Sequence, residues 1–166
     1  MTSKETKQVL AFYPNALGFG FVFMENALSL KSYQTVVIRP MCNKRILKRI
    51  AEYVDYYEPD IVVLEDVSGN NGSRKSKRVK KLISQIQNYI TNKNLKVHTY
   101  SREQIRFVFS QFEARSKHDI ATILAEHIPE LKKHLRPKRK IFQAESYTMG
   151  IFDAVALATT HYYHTD

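Results

Sequence analysis

The chain has 166 residues, 43% hydrophobic and 25% charged, with a formal net charge of +10, the profile of one basic globular domain large enough to bury a core. No apolar run reaches roughly 18 residues and the first residues are polar, so neither a transmembrane helix nor a signal peptide is expected, and no membrane partner. Cys42 is the only cysteine, which excludes an internal disulfide and suits a reducing, cytoplasmic setting.

Residues 9–13 form a short apolar run that predicts a buried strand, and residues 15–17 a turn. Residues 18–24 (GFGFVFM) predict a second strand, and residues 34–38 (QTVVI) a third, stopped by Pro40. Short turns between these strands predict an antiparallel meander. Residues 43–57 are helical in pattern, with Ile46, Leu47, Ile50, Val54 and Tyr57 on one face. Residues 61–64 (IVVL) are apolar throughout, as expected of a central parallel strand buried on both faces. The loop at residues 69–72 (GNNG) lacks the Lys-Ser/Thr that a phosphate-binding glycine loop needs.

Residues 77–92 predict a helix with an apolar stripe of Val79, Leu82, Ile83, Ile86, Tyr89 and Ile90. Residues 96–100 give a fifth strand, and residues 102–109, 117–127 and 147–163 the remaining helices. A meander followed by strand–helix alternation implies one α/β domain spanning residues 1–166, a mixed five-stranded sheet flanked by helices.

Charge is concentrated. Residues 73–81 (SRKSKRVKK) hold Arg74, Lys75, Lys77, Arg78, Lys80 and Lys81; residues 132–140 (KKHLRPKRK) hold Lys132, Lys133, Arg136, Lys138, Arg139 and Lys140. Neither stretch contains an acid, and outside them basic residues are slightly fewer than acidic ones. Solvated faces usually mix signs. Single-sign patches suit a polyanion, whose neutralised phosphates release counterions. Phosphate contacts are expected from Arg74, Lys75, Lys77, Arg78, Lys80 and Lys81, and from Arg136, Lys138, Arg139 and Lys140 on an arm that Pro137 keeps from being helical. The first patch also crowds cations at a helix N-terminus, where the macrodipole disfavours them unless an anion is near.

Two carboxylates stand where polar groups are costly. Glu65 ends the central strand, at the sheet edge where open α/β sheets bind ligands, and Asp153 lies within GIFDAVALA on the last helix. They are either paired with Lys or Arg, or ligands of a hard cation such as Mg²⁺.

The order of elements and three local motifs resemble the RuvC-like branch of the RNase H superfamily, the Holliday-junction resolvases. The first strand ends Phe12-Tyr13-Pro14-Asn15 and the second begins Gly18-Phe19-Gly20, similar to the family's Ile-Asp-Pro-Gly and Gly-x-Gly texts. Glu65 matches the glutamate ending the fourth strand, and Asp153-Ala154-Val155-Ala156 with His161 matches the last helix. The segment 117–140 also looks like a bacterial RuvC-like subgroup. The resemblance implies metal-dependent phosphodiester hydrolysis on branched or structured DNA, with Glu65 and Asp153 as catalytic metal ligands, Mg²⁺ as cofactor and a homodimer as the assembly. Two positions depart from the family: Tyr13 stands at the first aspartate and Gly150 one helical turn before Asp153, where RuvC has another. Asp66, Glu145 and the amide of Asn15 are candidate substitutes, and without them metal binding is expected to be weak or absent.

Three readings stand: a nucleic-acid-binding protein with weakened or lost cleavage, an active Mg²⁺-dependent junction endonuclease using substitute ligands, and a non-enzymatic protein-interaction module. His161 and His164 read as a surface pair near a frayed terminus, with Asp166 the nearest further donor for Zn²⁺. Phe107, Phe109 and Phe112 alternate with Arg102, Arg106 and Arg115, a candidate aromatic contact surface.

Overall fold

A computed structural model describes residues 7–69, 75–140, 143 and 145–165. Arg74, Asp166 and all of the 69–72 loop except Gly69 lie outside the described residues. Strands β1 (Val9–Pro14), β2 (Gly18–Asn26), β3 (Ser29–Val37), β4 (Ile61–Glu65) and β5 (Lys96–Tyr100) form one sheet in the order β3-β2-β1-β4-β5. The meander β1–β2–β3 is antiparallel, and β4 runs parallel to both β1 and β5. This is the expected mixed five-stranded α/β sheet. β3 begins five residues before the expected strand, because its first half is a half-exposed edge without apolar alternation.

Alternation along the strands sorts the core into two layers. Leu10, Phe12, Val62 and Leu64 face helices α1 (Asn43–Tyr57) and α2 (Lys77–Asn92). Val9, Ala11, Tyr13, Ile61 and Val63 face α3 (Arg102–Ser110), α4 (Lys117–His127) and α5 (Met149–Thr165). A 3₁₀ turn, Pro129–His134, follows α4. Helix α5 is buried on all sides from Gly150 to Tyr162, with the sheet beneath it and α3 and α4 against it. It lies close to β2 because both contact positions are glycine: a Cβ on Gly20 would stand 2.2 Å from the Gly150 carbonyl oxygen.

His161 is therefore 1% exposed and not part of a surface pair. Its Nδ1 is 2.8 Å from the Tyr100 hydroxyl, and its ring packs against His98. Burial, with help from His98 and His164, pushes its pKa down to about 4. Phe109 is core, whereas Phe107 is 77% exposed, so the aromatic surface expected there reduces to Phe107 and the partly exposed Phe112. No helix among the described residues is long and apolar enough to cross a membrane.

Candidate nucleic-acid interface

The parallel pairing Ala11↔Val63 carries Tyr13 and Glu65 to neighbouring positions at the C-terminal edge of the sheet. Both side chains share the parity of residues facing α5. Asp153, one turn into α5, faces them there. Tyr13, Glu65 and Asp153 are all buried, and each acid's charge acts on the phenol.

Two lysines enter this cluster. Lys117 is the first residue of α4, and a reciprocal cap fixes it: the Asp119 N–H donates to Ser116 Oγ, while Asp119 Oδ2 accepts from the Ser116 and Arg115 N–H groups. From that position Lys117 Nζ lies 3.1 Å from Glu145 Oε1, 3.4 Å from Asp153 Oδ2 and 3.2 Å from the Tyr13 hydroxyl. Lys75 precedes the α2 cap Ser76. Its Nζ donates to the Pro14 carbonyl (3.2 Å), lies 3.9 Å from Glu65 Oε2 and sits 3.7 Å from the Tyr13 ring centroid. Arg102, first residue of α3, is set by a second reciprocal cap, Ser101 with Gln104, and its charge reaches both buried acids. Cations at or just before the starts of α2, α3 and α4 thus surround one carboxylate cluster.

Burial raises the pKa of Glu65 and of Asp153; Lys75 and Arg102 chiefly oppose it at Glu65, and Lys117 at Asp153. Burial lowers the Lys75 pKa, opposed by Glu65. The Tyr13 phenol is pushed up by burial and by Asp153 and Glu65, so it stays neutral at pH 7 and is a poor ligand for a hard cation. A pair of divalent ions does not fit this donor set. Lysine ammonium groups stand against the carboxylates, and the neutral Tyr13 phenol, not a third acid, lies between them. Among the described residues no cluster of three His, Cys, Asp or Glu side chains is arranged for a metal.

The remaining expected residues separate by geometry. Glu145 joins the cluster through Lys117. Asp66 does not: its Oδ1 accepts from the Ser68 N–H and hydroxyl, which holds its pKa down. Asn15 Oδ1 is occupied by the Leu17 and Gly18 N–H groups and so is no substitute ligand. A Cβ at Gly150 would stand 3.0 Å from Asn15 Nδ2, so an acid there requires that side chain to yield.

Lys77, Lys80 and Lys81 are exposed on α2. Arg78 instead ties elements together, donating to Asn43 Oδ1 (3.0 Å) and to the Asn15 carbonyl (3.0 Å). Arg136, Lys138, Arg139 and Lys140 are exposed in irregular backbone, as expected, and line a cleft of about 1020 Å³ whose floor includes Tyr13 and Glu65. His118 meets the Arg136 carbonyl at 3.0 Å, and the Lys140 N–H donates to Gln143 Oε1. No local signal in the sequence marks Lys117 as a member of the site. The Ser116-x-x-Asp119 pattern that places it at the start of α4 was legible there, but its contacts with Glu145 and Asp153 were not.

A β3-β2-β1-β4-β5 sheet with this helix arrangement is a RuvC-like fold, within the RNase H-like class. Thermus thermophilus RuvC in complex with a Holliday junction substrate superposes with a TM-score of 0.67 at 17% identity, covering 96% of this chain and 94% of that one. A second Thermus thermophilus RuvC structure gives a TM-score of 0.64 at 18% identity, with 95% of each chain covered. No family model and no curated protein matches the sequence.

Proposed function

We propose that this protein binds branched or structured DNA along the C-terminal edge of its sheet, with metal-dependent cleavage weak or lost. One observation carries the reading: cations line a cleft shaped on a RuvC-like fold, while lysines occupy its carboxylate floor. Arg102, Arg106, Arg115 and the 136–140 arm surround the cleft. A polyanion would offset that charge at the mouth, where Glu103 and Glu145 are the acids besides buried Glu65. At the floor, Lys75 and Lys117 offset the carboxylates, so the site needs no divalent ion to accept a phosphate backbone. The junction substrate of the Thermus RuvC structure makes a four-way junction the first ligand to test.

The test is a binding titration with a four-way junction, linear duplex and structured RNA, in EDTA and in Mg²⁺, beside a cleavage assay in Mg²⁺ and Mn²⁺. Junction binding in EDTA is expected, with no stimulation of cutting by either metal. Replacing Lys77, Lys80 and Lys81 with Ala should flatten the dependence of affinity on salt. Robust cutting abolished by Asp153→Asn would overturn the reading. It would favour a junction endonuclease that uses Glu145 as a substitute, for which one feature speaks: Glu65 Oε2 is buried without a hydrogen-bond donor among the described residues.

A further inference from the structure

A third basic region is assembled where the sequence showed none. Arg39, at the end of β3, and Lys44, Arg45, Lys48 and Arg49 on α1 line a groove of about 530 Å³ with Glu52 as its one acid. All five basic side chains are exposed. Arg49 is committed, 3.7 Å from Glu52 and donating to the Tyr53 hydroxyl. Arg39, Lys44, Arg45 and Lys48 have no ion-pair partner among the described residues. Four unneutralised cations in one groove repel one another, a cost that an anion would relieve.

Its place in the fold gives the groove a direction. β3 ends at the same sheet edge as β1: Val36 pairs with Phe19, and Phe19 with Pro14. Two strand spacings, about 10 Å, separate the ends of β3 and β1. The gap between groove and cleft is bridged by the start of α2, where Arg78 holds both Asn43 of α1 and the turn at Asn15, and Lys75 reaches Pro14. Arg78 and Lys75, though held by these protein partners, thus lie between the cations of α1 and those of the cleft.

We infer that the groove formed by Arg39, Lys44, Arg45 and Lys48 binds the phosphate backbone of a nucleic-acid arm leaving the cleft. The inference rests on the nucleic-acid reading and adds a contact on the opposite face of the sheet. The partner is identified by chemistry: a linear polyanion can occupy cleft and groove together, which an isolated anion cannot.

The experiment compares wild type with Arg39→Ala/Lys44→Ala/Arg45→Ala/Lys48→Ala on four-way junctions with long arms and with arms cut back to the crossover. All four side chains are exposed, and circular dichroism with a thermal melt verifies folding. With each phosphate contact contributing a slope of about 0.9, the wild-type advantage on long arms should shrink about a hundredfold between 50 and 200 mM salt. On cut-back arms the two proteins should bind alike. Cys42, at the cap of α1 beside Lys44 and Arg45, supplies a local readout. Long-armed DNA should slow its alkylation, and cut-back DNA should not. If wild type binds long-armed junctions but the variant matches it at every salt, the groove is not a contact and the inference alone fails. If wild type binds no nucleic acid, the functional reading fails and takes the inference with it. Capture by phosphatidylserine vesicles that the variant loses, with DNA affinity unchanged, would reassign the groove to an anionic membrane and overturn the proposal.

Discussion

Removing Lys117 is the sharpest probe of the buried cluster, and Lys117→Met keeps the side-chain length while deleting the charge. Asp153 is 5% exposed and Lys117 lies 3.4 Å from it. Deleting one partner of a fully buried pair costs about 3–5 kcal/mol. Here the lysine is 31% exposed and its second partner Glu145 40%, so solvent screening reduces the loss to about 2–3 kcal/mol. Protonation sets a ceiling. An unpaired Asp153 can take up a proton, which at pH 7 costs about 4 kcal/mol against an ordinary carboxyl near 3.9, but only about 1.5 kcal/mol at pH 5. The sign follows: burial has raised the folded-state pKa, so the variant's deficit is smallest at low pH and grows as pH rises. Urea unfolding of wild type, Lys117→Met, Asp153→Asn and the double variant at pH 7 and pH 5 measures this. The expected result is a loss of about 2–3 kcal/mol at pH 7, less than about 1.5 kcal/mol at pH 5, and near-complete rescue by Asp153→Asn. A variant as stable as wild type at pH 7, or an equal loss at both pH values, would refute a lysine seated among these carboxylates.

Gly20→Ala should lower stability by about 3 kcal/mol or more, because its Cβ meets the Gly150 carbonyl at 2.2 Å and α5 must move; a thermal melt reads this as a fall of roughly 6–12 °C. His161 has a folded-state pKa of about 4 against an ordinary 6.5, so it stabilises the fold above pH 6.5 and that contribution is lost as pH falls towards 4. Wild type should lose about 2 kcal/mol more than His161→Gln between pH 7 and 4.5 in urea titrations, and parallel curves would contradict this. Amides at Arg136, Lys138, Arg139 and Lys140 should exchange rapidly in the free protein and slow on junction binding; equal rates would remove the arm from the interface. Lys75→Met/Lys117→Met should gain stability in Mg²⁺ where wild type does not, read as a melting shift between EDTA and 10 mM Mg²⁺. An equal shift in both would mean that the lysines do not compete with the ion.

Much of the fold was legible because its signals are local. The stripes of α1 and α2 and the apolar run at residues 61–64 follow from periodicity alone, and the bounds of α1, α2, α4 and β5 match. The first half of β3 was not legible. Its turn has no glycine, Leu28 instead adopting φ 67°, and residues 29–34 are partly exposed and mixed in polarity. The nearness of His161 to the C-terminus pointed to exposure, whereas α5 is buried from Gly150 through Tyr162. Glu65 and Asp153 stood out as acids in apolar surroundings; their partners did not, since Lys117 meets Asp153 across 36 residues. The basic residues of the groove were visible one by one, but acids elsewhere cancelled them in the charge balance. Charge balance is blind to place, and only folding puts Arg39 beside the first turns of α1.

On the proposed reading, the cluster shows how the edge of a RuvC-like sheet can hold its buried carboxylates without a metal ion. Buried carboxylates at the end of β4 and in the second turn of α5 must be either protonated or matched by positive charge. Divalent ions supply it from solution, at a concentration-dependent occupancy, and leave open positions where water can be activated. Lysines supply it from within the chain: Lys117 lies 3.4 Å from Asp153 Oδ2 and Lys75 3.9 Å from Glu65 Oε2. Tyr13 contributes to the same balance. A phenol in place of an acid lowers the negative charge to be balanced, fills volume, and offers its ring to Lys75 and its hydroxyl to Lys117. The groups depend on one another, since a lysine without the carboxylates would be a buried unpaired charge, and an aspartate at position 13 would add negative charge to be balanced. On the proposed reading, the cations facing solvent around the cleft would still meet a phosphate backbone while the lysines hold the carboxylate floor.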